Sequence, residues 1–154
     1  MKELSCDSSS FQVRAAVIHG MNHVIKHCPR SHVYMRQVLA KVNQRFFDVK
    51  DSVRSAFMDL LATVKGLKLI NFWDIVSVDE ILSQLEVETS STVCYKIVGI
   101  LLRSFFPPDE EHEGDEDNTK VKRCIYLIKQ NRAASRKFYR VSQYAPFSLE
   151  KALG

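Results

Sequence analysis

The chain has 154 residues, 45% hydrophobic and 26% charged, with a formal net charge of +4. These values are ordinary for a soluble folded protein and suit one domain whose core comes from packing. The longest apolar stretch, Ile97 to Phe106, is cut by Arg103 and falls far short of the ~20 residues a bilayer requires, and no early stretch has the order of a signal peptide.

Apolar residues recur mostly at helical spacing, Pro and Gly are few, and no hairpin signal is present, so an all-α fold is expected. A first helix is predicted from about Phe11 to Lys26, after the polar cluster Asp7 to Ser10, with Val13, Val17, Met21 and Val24 on one face. Cys28 and Pro29 end it. Ser31 is placed to cap a second helix, which carries Met35, Val38, Leu39, Val42 and Phe46 on one stripe. A third helix presents Val53, Phe57, Leu61 and Val64 and stops near Gly66. The segment Asn71 to Val76 is apolar and irregular, the mark of a short turn. Ser77 and Glu80 have the spacing of a capping box before a short helix, Val78 to Leu85. A longer helix runs from about Ser91 to Phe106, where Pro107 and Pro108 stop it, because proline lacks the amide hydrogen and clashes with the preceding turn. Residues 107–118 read as a solvated acidic loop. Asn118 or Thr119 would cap a helix to about Lys129, and Asn131 a last one, Arg132 to Tyr144, with Pro146 beyond it.

The chain repeats itself. A shift of 40 residues lays Val13 and Arg14 on Val53 and Arg54, Ala16 on Ala56 and Val24 on Val64. Val17, Ile18 and Met21 fall on Phe57, Met58 and Leu61. A second equal shift reaches Val93, with Ile97 and Leu101 in the matching apolar slots. A helix pair cannot bury its apolar face alone, so neighbours stack and share a core. A period near 40 falls in the ~40–47 range of HEAT and armadillo arrays. The expected fold is an all-α, HEAT-repeat-like α-solenoid of antiparallel helix pairs. It would form a single array over residues 1–154, with units of about 8–47, 48–87 and 88–130 and a last helix over 131–145.

The second unit is the most specific. Asp48 followed by Val53 and Arg54 resembles the Asp…Val-Arg signature of HEAT repeats, in which the Asp and Arg join neighbouring repeats along the inter-helix turns. In the third unit Glu88 takes the acidic place and Val93 the apolar place, while Cys94 replaces the arginine and breaks the pattern. In the first unit Ser8 stands where the acid should be. Longer pieces carry a closer likeness: Ser52-Val-Arg-Ser-Ala-Phe-Met-Asp-Leu-Leu, Asn71-Phe-Trp-Asp-Ile, Ile81-Leu-Ser-Gln-Leu-Glu-Val, Arg103-Ser-Phe-Phe-Pro and Asn131-Arg-Ala-Ala-Ser-Arg-Lys-Phe-Tyr. In order and spacing, from about residue 50 to 145, they resemble the G-type HEAT-repeat subunits of condensin-2 complexes. The family's proteins are much longer, so the chain resembles an internal slice. The resemblance implies a nuclear, non-catalytic subunit that binds the complex's kleisin subunit and other condensin subunits, helps engage double-stranded DNA, and serves mitotic chromosome condensation.

The candidate sites are few. Seven of the 18 acids lie in the nine residues Asp109 to Asp117, so the rest of the chain is distinctly basic, a balance that favours polyanions. From Asn118 to Leu149 no acid interrupts the cations Lys120, Lys122, Arg123, Lys129, Arg132, Arg136, Lys137 and Arg140. A helix pair of this kind can neutralise phosphates without reading base sequence, so these eight are the candidate DNA contacts. Phe138 and Tyr139 sit inside the patch, and at least one is expected in the core. His19, His23 and His27 recur every four residues, a spacing that can hold a metal, but no carboxylate or cysteine completes a set and a polar helix face is the simpler reading. Cys6, Cys28, Cys94 and Cys124 are too far apart for a zinc or disulfide framework and read as free thiols. No phosphate loop, nucleophile elbow or H-E-x-x-H motif is present; no cofactor, small-molecule substrate or catalysis is expected. The alternative to the condensin reading is a HEAT or armadillo adaptor that grips peptides and has no link to DNA.

Overall fold

A computed structural model describes residues 10–67, 70–105 and 116–143, and within them every side chain except those of 103–105 and 116–121. Among the described residues all regular structure is helical, as expected of an all-α repeat fold. Seven α-helices follow in order: α1 (Phe11–His27), α2 (His32–Val42), α3 (Asp51–Gly66), α4 (Val78–Val87), α5 (Ser91–Phe105), α6 (Glu116–Gln130) and α7 (Arg132–Ser142). Short 3-10 turns occupy Pro29–Ser31, Asn43–Phe47 and Phe72–Asp74. The chain divides into two compact units, Met1–Val78 and Asp79–Gly154. Asp7, Ser8, Cys6, residues 107–115 of the acidic run, Tyr144 and Pro146 lie outside the described residues.

In the first unit α1 packs against α3, the two helices that the 40-residue shift superposes. Ser10 caps α1 by accepting from the Val13 amide, which satisfies one of the amides a helix start leaves open. The core is Ile18, Met21 and Ile25 of α1, Met35, Leu39 and Val42 of α2, Phe46, and Val53, Phe57, Met58, Leu60, Leu61 and Val64 of α3. Each fully buried side chain of this size contributes ~1.5–3 kcal/mol. The Phe46 and Phe57 rings lie 6.2 Å apart between centroids. After Val42 the chain tightens into the Asn43–Phe47 turn, and this keeps Phe46 in line with Leu39 and Val42 on the buried side.

Two expectations for this unit change. The buried line of α1 is Arg14, Ile18, Met21, Asn22 and Ile25, while Val13, Val17 and Val24 are half-buried at its flank. Ile18 and Ile25 share the inward side with Arg14, which is tied to Asp48, so only Met21 of the expected stripe is fully covered. Ser31 does not cap α2: its hydroxyl donates 2.7 Å to the Cys28 carbonyl and closes the Pro29–Ser31 turn instead.

In the second unit α5 and α6 both pack against α7. The core here is Ile81, Leu82 and Leu85 of α4, Val93, Ile97, Val98 and Leu101 of α5, Leu127 of α6, and Ala134 and Phe138 of α7. Asn131 caps α7, its side-chain oxygen accepting from the Ala134 amide at 2.9 Å. Helix α6 begins at Glu116, before Asn118 or Thr119, so the last acids of the run are its first turn and not loop. Acidic residues suit a helix start, where the backbone dipole is positive.

Candidate functional site

The turns that precede α3 and α5 have corresponding chemistry. Asp48 is 7% exposed, and its carboxylate accepts four hydrogen bonds: Nε and Nη2 of Arg14, both at 2.8 Å, Nη1 of Arg45 at 3.1 Å, and the Lys50 amide at 3.1 Å. The two Arg14 bonds form a planar fork, the strongest form of this pairing. Burial alone would raise the Asp48 pKa. The bonds from Arg14, the Lys50 amide and Arg45, with the charge of Arg14, outweigh it and hold the carboxyl below its ordinary 3.8. Arg14 opens α1 and Asp48 precedes α3, so the pair staples the starts of the two stacked helices together. Lys50 adds to the same end, its ammonium 5.4 Å from the Phe11 ring centroid.

Arg54 works within its own turn. Its Nη1 donates to the carbonyls of Asp48, at 2.7 Å, and Val49, at 3.0 Å. One repeat later Cys94 stands in the same relation to Glu88: its thiol donates to the Glu88 carbonyl at 3.7 Å, again six residues back. A thiol is a weak donor. Lys137 of α7 supplies the cation that Cys94 lacks, its ammonium donating to the Glu88 carbonyl and, at 3.3 Å, to the Glu86 carbonyl. The Glu88 carboxylate turns back on its own chain. It accepts from the amides of Thr89 at 3.0 Å and Ser90 at 2.9 Å, and from Gln84 Nε2 at 2.9 Å. The turn before α5 thus has its acid and takes its cation from another helix, which the Asp…Val-Arg pattern alone does not reveal.

The eight candidate DNA contacts separate on the structure. Arg132, Arg136 and Arg140 are exposed on α7 at four-residue spacing, which puts them on one helix face. Lys122 and Lys129 of α6 are exposed and Arg123 is half-buried. The side chain of Lys120 is outside the described residues. Lys137 is half-buried and engaged with the two carbonyls, so it is set apart from the others. Of the two aromatics in the patch, Phe138 is fully buried, and Tyr139 is half-buried, edge-on to it with centroids 5.8 Å apart. Burial first, and the Cys124 thiol second, push the Tyr139 phenol up to about 12. Ile125, Tyr126 and Ile128 of α6 are exposed beside the lysines, an apolar component that counting cations overlooks. His19, His23 and His27 line the exposed side of α1. Among the described residues no three metal-ligating side chains converge, and no helix is long and apolar enough to cross a membrane.

No protein-family model matches the chain, and no solved structure matches it. Curated proteins do. Condensin-2 complex subunit G2 of Xenopus laevis is 35% identical over 143 residues, 93% of this chain. The subunit G2 of Mus musculus is 34% identical and that of Homo sapiens 32%, over the same share. This chain is a relative of condensin-2 complex subunit G2. It spans about 12% of the length of those curated relatives. The match is longer than either compact unit, so the likeness to subunit G2 runs through both. The likeness carried by the motifs between residues 50 and 145 therefore extends over nearly the whole chain.

Proposed function

We propose that this chain is a non-catalytic HEAT-type scaffold segment of a condensin-2 complex. In this reading it acts in the nucleus in mitotic chromosome condensation, binds the kleisin and other condensin subunits, and contacts duplex DNA through α6 and α7. The observation that carries the reading is the 32–35% identity to condensin-2 subunit G2 over about nine-tenths of the chain. Two structural features support it. The Arg14–Asp48 fork does what a HEAT signature is expected to do, joining helices 40 residues apart. The exposed line Arg132, Arg136 and Arg140, with Lys122 and Lys129 on the neighbouring helix, supplies phosphate-neutralising charge.

The scaffold half of the proposal is tested by purifying the tagged chain from mitotic extract and probing for condensin-2 subunits. Their presence at stoichiometric level is expected, and their absence would overturn it. The DNA half is tested by gel shift of a random duplex at several salt concentrations. Log affinity should fall linearly with log salt as phosphate contacts release counterions. Reversing Arg132, Arg136 and Arg140 to Glu should weaken binding to all duplexes alike. Binding indifferent to salt, or surviving the triple reversal, would sink the DNA half and leave the peptide adaptor.

A further inference from the structure

The second unit contains a groove of about 370 Å³ that shares Arg140 with the proposed DNA face but is otherwise built from residues which that face does not use. It lies between the turn that Glu88 opens, the first turns of α5 and the last turns of α7, and its walls include Cys94, Tyr95, Lys137, Arg140 and Val141. Among the described residues Glu88 is its one acid, and Glu88 is 3% exposed with both carboxylate oxygens already accepting bonds from Thr89, Ser90 and Gln84. The cations are in a different state. Lys137 donates to two carbonyl groups, which are neutral, and it makes no ion pair among the described residues. Arg140 is exposed and has no hydrogen bond or ion pair among the described residues. The remaining wall is mixed: Thr89 and Ser91 are polar and exposed, while Cys94 is buried, Val141 is half-buried, and the Tyr95 ring is 42% exposed.

We propose that this groove binds an acidic and apolar peptide segment of a partner protein. One Asp or Glu side chain would pair with Arg140, with the Lys137 charge behind it, and a neighbouring aliphatic side chain would cover Tyr95 and Val141. Charge complementarity selects the carboxylate, since a guanidinium takes a carboxylate in a planar two-bond fork. The apolar part of the wall, Tyr95 and Val141, selects a peptide over a nucleic acid. A duplex backbone brings phosphates and sugars and nothing to desolvate Tyr95 and Val141. The volume lies at the small end of the ~300–1,000 Å³ range of ligand clefts, enough for one or two side chains. This inference goes beyond the scaffold proposal, because it names the chemistry of a ligand and does not depend on which complex the chain joins.

The test is a nuclear magnetic resonance titration of the isotopically labelled full chain with a short capped Leu-Glu-Leu peptide, its Leu-Gln-Leu analogue, inorganic phosphate and a random duplex. The acidic peptide should move the amide resonances of Thr89, Tyr95, Arg140 and Val141, and the Gln analogue should bind about tenfold more weakly, the effect of one lost charge-assisted bond. Arg140→Gln should lower peptide affinity by a similar factor. Tyr95→Ser should weaken the peptide while leaving the duplex gel shift unchanged, which separates this groove from the DNA face. Unmoved resonances of Ile81, Leu82, Leu85 and Leu127, in the core of the second unit, show that each variant is still folded. Equal binding of the Gln analogue, the same shifts from inorganic phosphate alone, or no shift at these four amides would overturn the proposal.

Discussion

Replacing Asp48 by Ala removes the acceptor that holds the starts of α1 and α3 together. The Arg14 side chain is 9% exposed and that of Asp48 3%, so the cation left behind cannot be hydrated without moving its helix. Truncating one partner of such a buried pair costs ~3–5 kcal/mol. Domains of this size are stable by only ~5–15 kcal/mol, so the loss is a large share of the total. At ~2–4 °C per kcal/mol, the melting midpoint should fall by roughly 6–20 °C. The assay is thermal and urea unfolding of Asp48→Ala, Arg14→Ala and the double variant. A coupling energy of ~1.5–3 kcal/mol between the two positions is expected for residues in one network. The pH dependence follows from the sign of the shift. The folded-state pKa of Asp48 is lowered, so the protein gains stability from this group above the ordinary value of 3.8 and loses it as pH falls through the lower folded-state value. Asp48→Asn should therefore flatten the acid limb of the stability curve below pH 3.8. Additive single variants, or an acid limb unchanged by Asp48→Asn, would refute the staple.

Phe57→Asp or Val53→Asp should unfold or aggregate the chain, since both positions are 0% exposed and an unpaired buried charge is worth several kcal/mol, on the order of a domain's whole stability; circular dichroism and size-exclusion chromatography check it. Asn131→Ala should lower stability by ~1 kcal/mol in urea titration through loss of the α7 cap, with Asn131→Ser recovering most of it. Lys137→Met should cost ~1–2 kcal/mol, less than a fully buried charged bond because the lysine is half-buried, and Lys137→Arg should restore much of that.

The helices were legible because a 3.6-residue period and a 40-residue repeat both constrain them. That spacing places Phe57, Leu61 and Val64 on a core face, and they are in it. The face of α1 is harder to read because apolar residues lie on two adjoining lines: Ile18, Met21 and Ile25 are buried, while Val13, Val17 and Val24 sit at the flank. Arg14 is the residue a hydrophobic pattern leaves out, yet it lies on the inward side and forks with Asp48. The sequence puts the start of α6 too late because a dense acidic run reads as loop, although acids at a helix N-terminus are favourable. The basic patch was legible as composition only. Spacing put Arg132, Arg136 and Arg140 on one face, but nothing in the sequence said that Lys137, one residue from Arg136, would turn to the Glu86 and Glu88 carbonyls.

The contrast between the two turns explains where new chemistry arises in this chain. A turn closed by Arg54 is self-contained, since the cation comes from the same repeat and satisfies the Asp48 and Val49 carbonyls locally. A turn with Cys94 in that place lacks a strong donor, and its carbonyls draw one from the next helix pair. Lys137 is held at the head of α5, and Arg140, one turn further along α7, is carried to the edge of the same groove. Where Cys94 stands in place of an arginine, two cations thus lie beside a turn whose acid is already satisfied. Restoring the repeat tests this chain of cause. In Cys94→Arg the new guanidinium would compete for the Glu88 carbonyl and displace the Lys137 ammonium, and the variant should hold or gain stability while Lys137→Met becomes nearly neutral in its background. A Lys137→Met penalty of equal size in both backgrounds, read by urea titration, would show that Lys137 does not stand in for the missing arginine.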